Sequence, residues 1–183
     1  RADVIPDGKI NVLDLLEIKK NMNKTVVPSG MVFVPPGIYQ MGDPFNEGEE
    51  NERPSHAVYT DAFYMDRYEV TNQQYADALN WANGEGNLIT VSNGRVYKYN
   101  SGTSYPYCET ITSSPYSHIT WNGSSFGVTA GKENHPMLLV TWYGSAAYCN
   151  WRSAMQGKPL CYDLATWECN YSANGYRLPT EAE

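Results

Sequence analysis

Helical periodicity in residues 31–183 is limited to two segments, so this part of the chain must fold mainly from short strands and loops. In the first segment, TNQQYADALNWANG, Thr71 and Gln74 have the spacing of a capping box, in which each side chain bonds the other residue's backbone N–H. Gly84 is suited to end the helix. The apolar residues recur at helical spacing and form one stripe, Tyr75, Ala78, Leu79 and Ala82.

The second helical segment is TWYGSAAYCNWRSAMQG, at residues 141–157. Cys149 falls inside its pattern and is expected to be a buried, reduced thiol. The helix should end near Gly157. Its predicted buried stripe is Ala147, Trp151, Ala154 and Met155.

Short strand-like runs surround these helices. MVFVPPGIYQMGD at 31–43 predicts a hairpin that turns at Pro35-Pro36-Gly37, and HPMLLV at 135–140 predicts a short buried strand. Residues 84–135, rich in Gly, Ser, Asn, Thr and Tyr, predict an irregular insertion with one or two hairpins, and composition makes it a candidate binding surface. The whole pattern predicts an α+β fold rich in loops. A half-buried strand is expected within 55–70, with an apolar face of Ala57, Tyr59, Phe63 and Met65.

Composition narrows the range of partners. The 183 residues are 42% hydrophobic, which indicates a packed core, and carry a net charge of −7. An acidic chain of this kind is not expected to bind nucleic acid or an anionic membrane surface. No apolar run approaches the roughly 20 residues that a membrane-spanning helix needs.

The four cysteines give no metal or redox motif. Cys108, Cys149, Cys161 and Cys169 contain no C-x-x-C pair, which argues against a zinc ribbon or a thioredoxin-type centre. Cys161 and Cys169 flank YDLATWE, where a disulfide would close a short loop. Three pairings are open if all four cysteines oxidise.

The first residues have the spacing of a calcium loop. DVIPDGKINVLD at 3–14 places oxygen-bearing residues at most of the positions from which a twelve-residue loop binds calcium, with a turn glycine at position six. The alternative is a capped helix after an acidic turn, without metal. The candidate calcium ligands are Asp3, Asp7, the Lys9 carbonyl, Asn11 and Asp14.

This segment resembles one half of a type I dockerin, although Ile5 stands where that family has Asn or Asp. The resemblance implies a cohesin partner and a secreted or cell-surface protein of a prokaryote, and secretion would favour at least one disulfide. The predicted domains are a partial dockerin-like segment at 1–24, a linker at 25–30 and the main domain at 31–183.

The main domain resembles the sulfatase-modifying-factor family, whose namesake is the formylglycine-generating enzyme. The resemblance is carried, in order, by FVPPGIYQMGD, ERPSHAVYTDAFYMDRYEVTNQQY, HPMLLVTWYGSAAYCNW and GYRLPTEAE. It implies a variant of the C-type-lectin-like fold. It also implies an activity that oxidises the cysteine of a sulfatase Cys-x-Pro-x-Arg motif with O₂ and a copper ion held by two cysteines.

The last block has the spacing of a helix start. Thr180 and Glu183 form a capping box after Pro179, and in the family this block continues as a helix. We therefore expect the sequence to cover only the N-terminal part of the domain, with the copper-binding cysteines beyond Glu183. None of the four cysteines matches them by motif, so no catalytic residue is assigned, and copper is expected only if the C-terminal part carries the pair.

Two functions follow from these resemblances. One is the oxidase that converts a sulfatase cysteine to formylglycine, with a sulfatase or another protein as substrate. The other is a non-catalytic, secreted, lectin-like binding module that a dockerin attaches to a scaffold.

Overall fold

The computed structural model describes residues 27–86 and 88–183, so the predicted dockerin-like segment lies outside the described residues. The chain divides into two compact units, the first ending at Tyr68 and the second comprising Glu69–Glu183. Within the described residues, no helix is long and apolar enough to cross a membrane.

The described part of the first unit, residues 27–68, contains one antiparallel ribbon. Strands β1 (Met31–Val34) and β2 (Gly37–Met41) pair with β4 (Phe63–Asp66) and β3 (His56–Thr60), respectively. β1 and β2 follow each other along one arm of the ribbon, and β3 and β4 along the other. The residue pairing keeps the same register through both ladders. A short 3-10 helix, Glu50–Glu52, lies in the connection between the arms.

The hairpin predicted within residues 31–43 is therefore wrong, although both of its strands exist. Pro35 and Pro36 have no N–H to donate, so they interrupt the ladder without reversing the chain. The predicted apolar face is also wrong for Ala57 and Tyr59, which are exposed, with 60% of Tyr59 accessible. None of residues 27–68 is buried, because a two-stranded ribbon has no second layer of its own to cover a face.

The second unit packs two helices against short strands. Its strands are β5 (Ile89–Ser92), β6 (Arg95–Lys98) and β7 (Pro106–Glu109), which form an antiparallel sheet, and β8 (Ile119–Trp121) and β9 (Phe126–Val128), which form a hairpin. The predicted irregular insertion is thus more regular than its composition indicated.

Helix α1 (Asn72–Gly84) confirms the predicted cap and stripe. The Thr71 Oγ1 accepts from the Gln74 N–H at 3.2 Å, and the Gln74 Oε1 accepts from the Thr71 N–H at 2.9 Å. All four stripe residues are buried, and they meet Val96, Tyr107, Ile119 and Trp151 in the main core.

Helix α2 (Trp142–Met155) begins after the N-cap Thr141 and packs closely on β7. Gly144 is required there, because a Cβ at this position would overlap the carbonyl oxygen of Tyr107. Cys149 is buried, as predicted, but Met155 is 47% exposed and Ser153 takes a core position instead.

The predicted buried strand at residues 135–140 is wrong. Pro136 and Val140 make only isolated bridges, to Thr71 and Cys108, and both leucines between them are exposed. Leu139 has a left-handed backbone (φ 56°), which no regular strand accommodates.

Candidate functional site

Residues 176–183, YRLPTEAE, form the segment that we call the signature segment, and the end of α2 holds its first residue. The Tyr176 N–H donates to the Ser153 Oγ at 2.8 Å, and the Tyr176 hydroxyl bonds the Gln156 side chain at 2.7 Å. The Arg152 guanidinium lies 4.0 Å from the centre of the Tyr176 ring. Ser153, which accepts from Tyr176, is buried, whereas Met155 of the predicted stripe is exposed.

Residues 161–170, the thiol hairpin, form the second support of the signature segment. Its arms meet at a bridge between Tyr162 and Cys169. The buried Asn150 of α2 fixes the first arm: its Oδ1 accepts from the N–H groups of Cys161 (3.1 Å) and Tyr162 (3.0 Å), and its Nδ2 donates to the Tyr162 carbonyl (2.7 Å). One amide thus satisfies three backbone groups of the hairpin.

The Tyr162 hydroxyl links this hairpin to the signature segment. It accepts from the Leu178 N–H at 3.0 Å. Burial raises the pKa of Tyr162 to about 12, so the hydroxyl stays neutral and structural near neutral pH.

The end of the signature segment is held by an ion pair and a cap. The Arg177 guanidinium makes two 2.6 Å hydrogen bonds to the Glu183 carboxylate. The predicted capping box is confirmed, with Thr180 N–H to Glu183 Oε2 at 2.9 Å and Glu183 N–H to Thr180 Oγ1 at 3.2 Å. The hydrogen bonds from Arg177 are the main cause that lowers the pKa of Glu183 to about 2.

An aromatic cluster lies beside the thiol hairpin. Trp167 is its centre, with ring centroids 4.7 Å from Tyr143, 5.3 Å from Tyr105 and 6.2 Å from Trp142. Half of Trp142 is exposed, which gives the cluster a solvent-facing indole. Partly exposed aromatic side chains of this kind are typical of binding surfaces.

Some of the strained residues and unsatisfied polar atoms of the described chain lie in or beside this cluster. Tyr105 and Trp167 have left-handed backbones, with φ of 55° and 66°. The Tyr107 hydroxyl and the Trp167 indole nitrogen are buried without a hydrogen-bond partner among the described residues. Features of both kinds are more frequent at functional positions than elsewhere.

A cavity of about 470 Å³ opens on the thiol hairpin. Its wall contains Leu160, Cys161, Tyr162, Asp163, Glu168, Cys169 and Asn170. The Asp163 carboxylate accepts hydrogen bonds from the N–H groups of Ala165 and Thr166 within the same turn.

A metal site with three or more side-chain ligands is absent from residues 27–86 and 88–183, where no three Cys, His, Asp or Glu side chains converge. Burial raises the pKa of Cys108 and of Cys169, which opposes the thiolate form that a metal requires. Cys108 also lies in the main core, whereas Cys149, Cys161 and Cys169 belong to a separate apolar cluster.

The candidate calcium ligands Asp3, Asp7, Lys9, Asn11 and Asp14 lie outside the described residues. Sequence reasoning did not identify the aromatic cluster as one group. The density of Trp and Tyr between residues 142 and 167 was a signal, but their convergence with Tyr105 depends on pairing distant in sequence. Of the tyrosines in the insertion, Tyr97 and Tyr107 are buried and the other three are exposed by 36–75%.

Comparison with known proteins identifies relatives of this chain. A family model, the sulfatase-modifying factor enzyme 1-like domain, matches residues 17–183. The formylglycine-generating enzyme of Mus musculus is 29% identical over 168 residues, covering 84% of this chain and 38% of that protein. The enzyme of the same name from Streptomyces coelicolor is 28% identical over 158 residues, covering 80% and 47%.

Two further similarities extend this group. The serine/threonine-protein kinase pkn1 of Chlamydia caviae is 27% identical over 172 residues, which cover 91% of this chain and 20% of that protein. The crystal structure of CarF superposes with a TM-score of 0.54 at 22% identity, covering 86% of this chain and 55% of CarF, and shows a shared fold. The chain thus spans less than half of the length of each of these three sequence relatives.

Proposed function

The chain belongs to the sulfatase-modifying factor family, and from this premise we propose that it is part of a domain that converts a sulfatase cysteine to formylglycine. The observation that carries the proposal is its similarity, along 80% or more of its length, to proteins named formylglycine-generating enzyme from a mammal and from a bacterium.

In this proposal the described residues form the structural scaffold of the domain, and the copper-binding centre lies outside them. Copper bound to a cysteine pair would supply the chemistry with O₂, and none of the four cysteines of this sequence matches that pair by motif. The proposal therefore places the pair in sequence that follows Glu183, where the family has it. The capping box of Thr180 and Glu183 sets the backbone in the conformation from which a helix begins.

A second candidate function is a non-catalytic binding module. It is favoured by the half-exposed Trp142 and by the neighbouring unsatisfied groups of Tyr107 and Trp167. A protein or glycan ligand would cover the indole. This alternative includes the dockerin-like attachment to a cohesin, calcium bound by residues 3–14, and secretion from a prokaryote.

One assay separates the two functions. The full-length protein is incubated with copper, O₂ and a peptide containing Cys-x-Pro-x-Arg, and the aldehyde is captured with a hydrazide and located by mass spectrometry. The control peptide has alanine in place of the cysteine. Aldehyde at the cysteine position supports the oxidase, whereas its absence from copper-loaded protein contradicts it and favours the binding module.

The binding module has its own test. Trp142→Ala should weaken binding to peptide or glycan arrays, while Tyr68→Ala, at an exposed tyrosine outside the insertion, serves as a matched control. Isothermal titration with calcium tests the loop at residues 3–14, and a flat trace would remove the metal from the proposal.

A further inference from the structure

An exposed apolar run leads into helix α2. Residues 136–143, PMLLVTWY, contain no charged side chain. Three large side chains of this run nevertheless face solvent: Leu138 is 51% exposed, Leu139 39% and Trp142 50%. Tyr105, which belongs to the same aromatic cluster as Trp142, is 36% exposed. We call the exposed side chains of these four residues the apolar face.

The backbone of the apolar face is fixed along strand β7. The Leu139 carbonyl accepts from the Glu109 N–H at 3.1 Å, and the Thr141 N–H donates to the Tyr107 carbonyl at 2.9 Å. The exposed leucines therefore belong to a segment that is hydrogen-bonded to the sheet, and not to a loop without partners.

Backbone strain coincides with the apolar face. Six described residues other than glycine have a left-handed backbone. Three of them are asparagines, which tolerate this conformation, and the other three are Tyr105, Leu139 and Trp167. The conformation of Leu139 is unfavourable for two reasons, because its Cβ crowds the backbone and part of its apolar surface stays in water. Such strain persists where surrounding contacts over-determine the conformation, so a contact that covers the exposed side of Leu139 is expected.

We propose that the apolar face is an intramolecular docking surface, covered by a part of the same domain that lies outside these 183 residues. The inference rests on the proposed function only in that the chain is part of a larger domain, and it does not require the oxidation. The chain spans less than half of the length of its sequence relatives, so those proteins contain further residues that are available for such packing. Permanent interfaces are more apolar than transient ones and resemble a domain core cut in half, which matches an uncharged run.

A transient ligand fits the apolar face less well. A peptide or glycan needs polar groups of the protein that fix its orientation. The four side chains of the face carry only two such groups, the Tyr105 hydroxyl and the Trp142 indole N–H. A second copy of the chain would also cover apolar surface, but only at concentrations at which the copies associate. Dilution therefore distinguishes a permanent cover from both.

The first test is hydroxyl-radical footprinting of the full-length protein, with each rate of oxidation divided by its value in the unfolded protein. We expect Trp142 to react as slowly as Trp151, which is 3% exposed, at every protein concentration. Tyr68, 77% exposed and outside the face, is the control for an accessible side chain. A Trp142 rate between those of the two controls would overturn the proposal. Protection that is lost on dilution would assign the cover to a second copy or a ligand, and would overturn it as well.

Leu139→Asn gives a second readout, in which the sign of the effect decides. If Leu139 stayed exposed in the full-length protein, asparagine would relieve the strain and the melting temperature would rise. Under the proposal the melting temperature should fall by about 5 °C or more, because an amide replaces a buried leucine. The matched control is Leu88→Asn, at a leucine that is 37% exposed and outside the face, and it should change little. A rise, or a fall no larger than that of the control, would contradict the proposal.

The aldehyde assay is independent of both tests. Protection of Trp142 without aldehyde would support the docking surface and remove the oxidase. Aldehyde together with an accessible Trp142 would support the oxidase and remove the docking surface.

Discussion

Asn150→Ala should be among the most damaging single polar substitutions in the described chain. Asn150 is 3% exposed, and its amide satisfies the N–H groups of Cys161 and Tyr162 and the carbonyl of Tyr162. The alanine would leave these three backbone groups buried without partners. At about 1–1.5 kcal/mol each, the free energy of unfolding should fall by about 3–4 kcal/mol.

The matched control is Asn83→Ala. Asn83 also lies in a helix but is exposed and makes one hydrogen bond, to the Ser124 carbonyl at 3.0 Å. Both substitutions replace Asn by Ala in a helix, so the change in helix propensity is the same. Because Asn83→Ala removes only one exposed hydrogen bond, it should lower the free energy of unfolding by less than about 1 kcal/mol. Urea unfolding followed by tryptophan fluorescence and far-UV circular dichroism measures both variants. Equal losses in the two variants would refute the assignment of Asn150 as the support of the thiol hairpin.

Three further predictions concern other contacts. Because the folded-state pKa of Glu183 is lowered from 4.5 to about 2, its contribution to stability is present above pH 4.5 and is lost as the pH falls towards 2. Glu183→Gln should therefore flatten the acid limb of stability against pH, and an unchanged limb would contradict this. Gly144→Ala should destabilise the protein by about 2 kcal/mol or more, because the new Cβ would overlap the Tyr107 carbonyl. Gly84→Ala, which has open space around it, should be neutral or stabilising by up to about 1 kcal/mol. Thermal unfolding compares the two variants, and equal effects would refute the packing argument. Thr71→Ala should cost about 1 kcal/mol through loss of the cap, measured by urea unfolding, and the cap is unimportant if stability does not change.

Local signals allowed the sequence to predict the helices. The capping boxes at Thr71 and Thr180 depend on residues within one turn of each other, and both form. The four buried stripe residues of α1 follow from the same short-range periodicity. These features need no knowledge of what lies across the core.

Pairing between distant residues was less predictable. Pro35-Pro36 was interpreted as a turn, but the strands on either side continue along one partner arm in constant register. HPMLLV has the composition of a buried strand, but Leu139 turns the chain and both leucines are exposed. Composition alone does not report which residue opposes which, and the thiol hairpin was missed as a support for the same reason.

The contacts of the signature segment limit what its sequence can say about function. Tyr176 bonds Gln156, and Arg177 and Thr180 both bond Glu183. These hydrogen bonds hold the segment in its conformation and attach its first residue to the end of α2.

A protein that kept this segment would keep these structural contacts whether or not it oxidised cysteine, because a fold does not by itself fix a function. Similarity that rests on this block identifies the family but does not separate an oxidase from a binding module. The peptide assay with copper and O₂ separates them because it measures the aldehyde, the product of the oxidase and not of a binding module. Arg177→Met should lower the free energy of unfolding, because it removes the ion pair with Glu183. It should leave the rate of any oxidation per folded molecule unchanged. A fall in oxidation that exceeds the loss of folded protein would mean that the segment takes part in the chemistry after all.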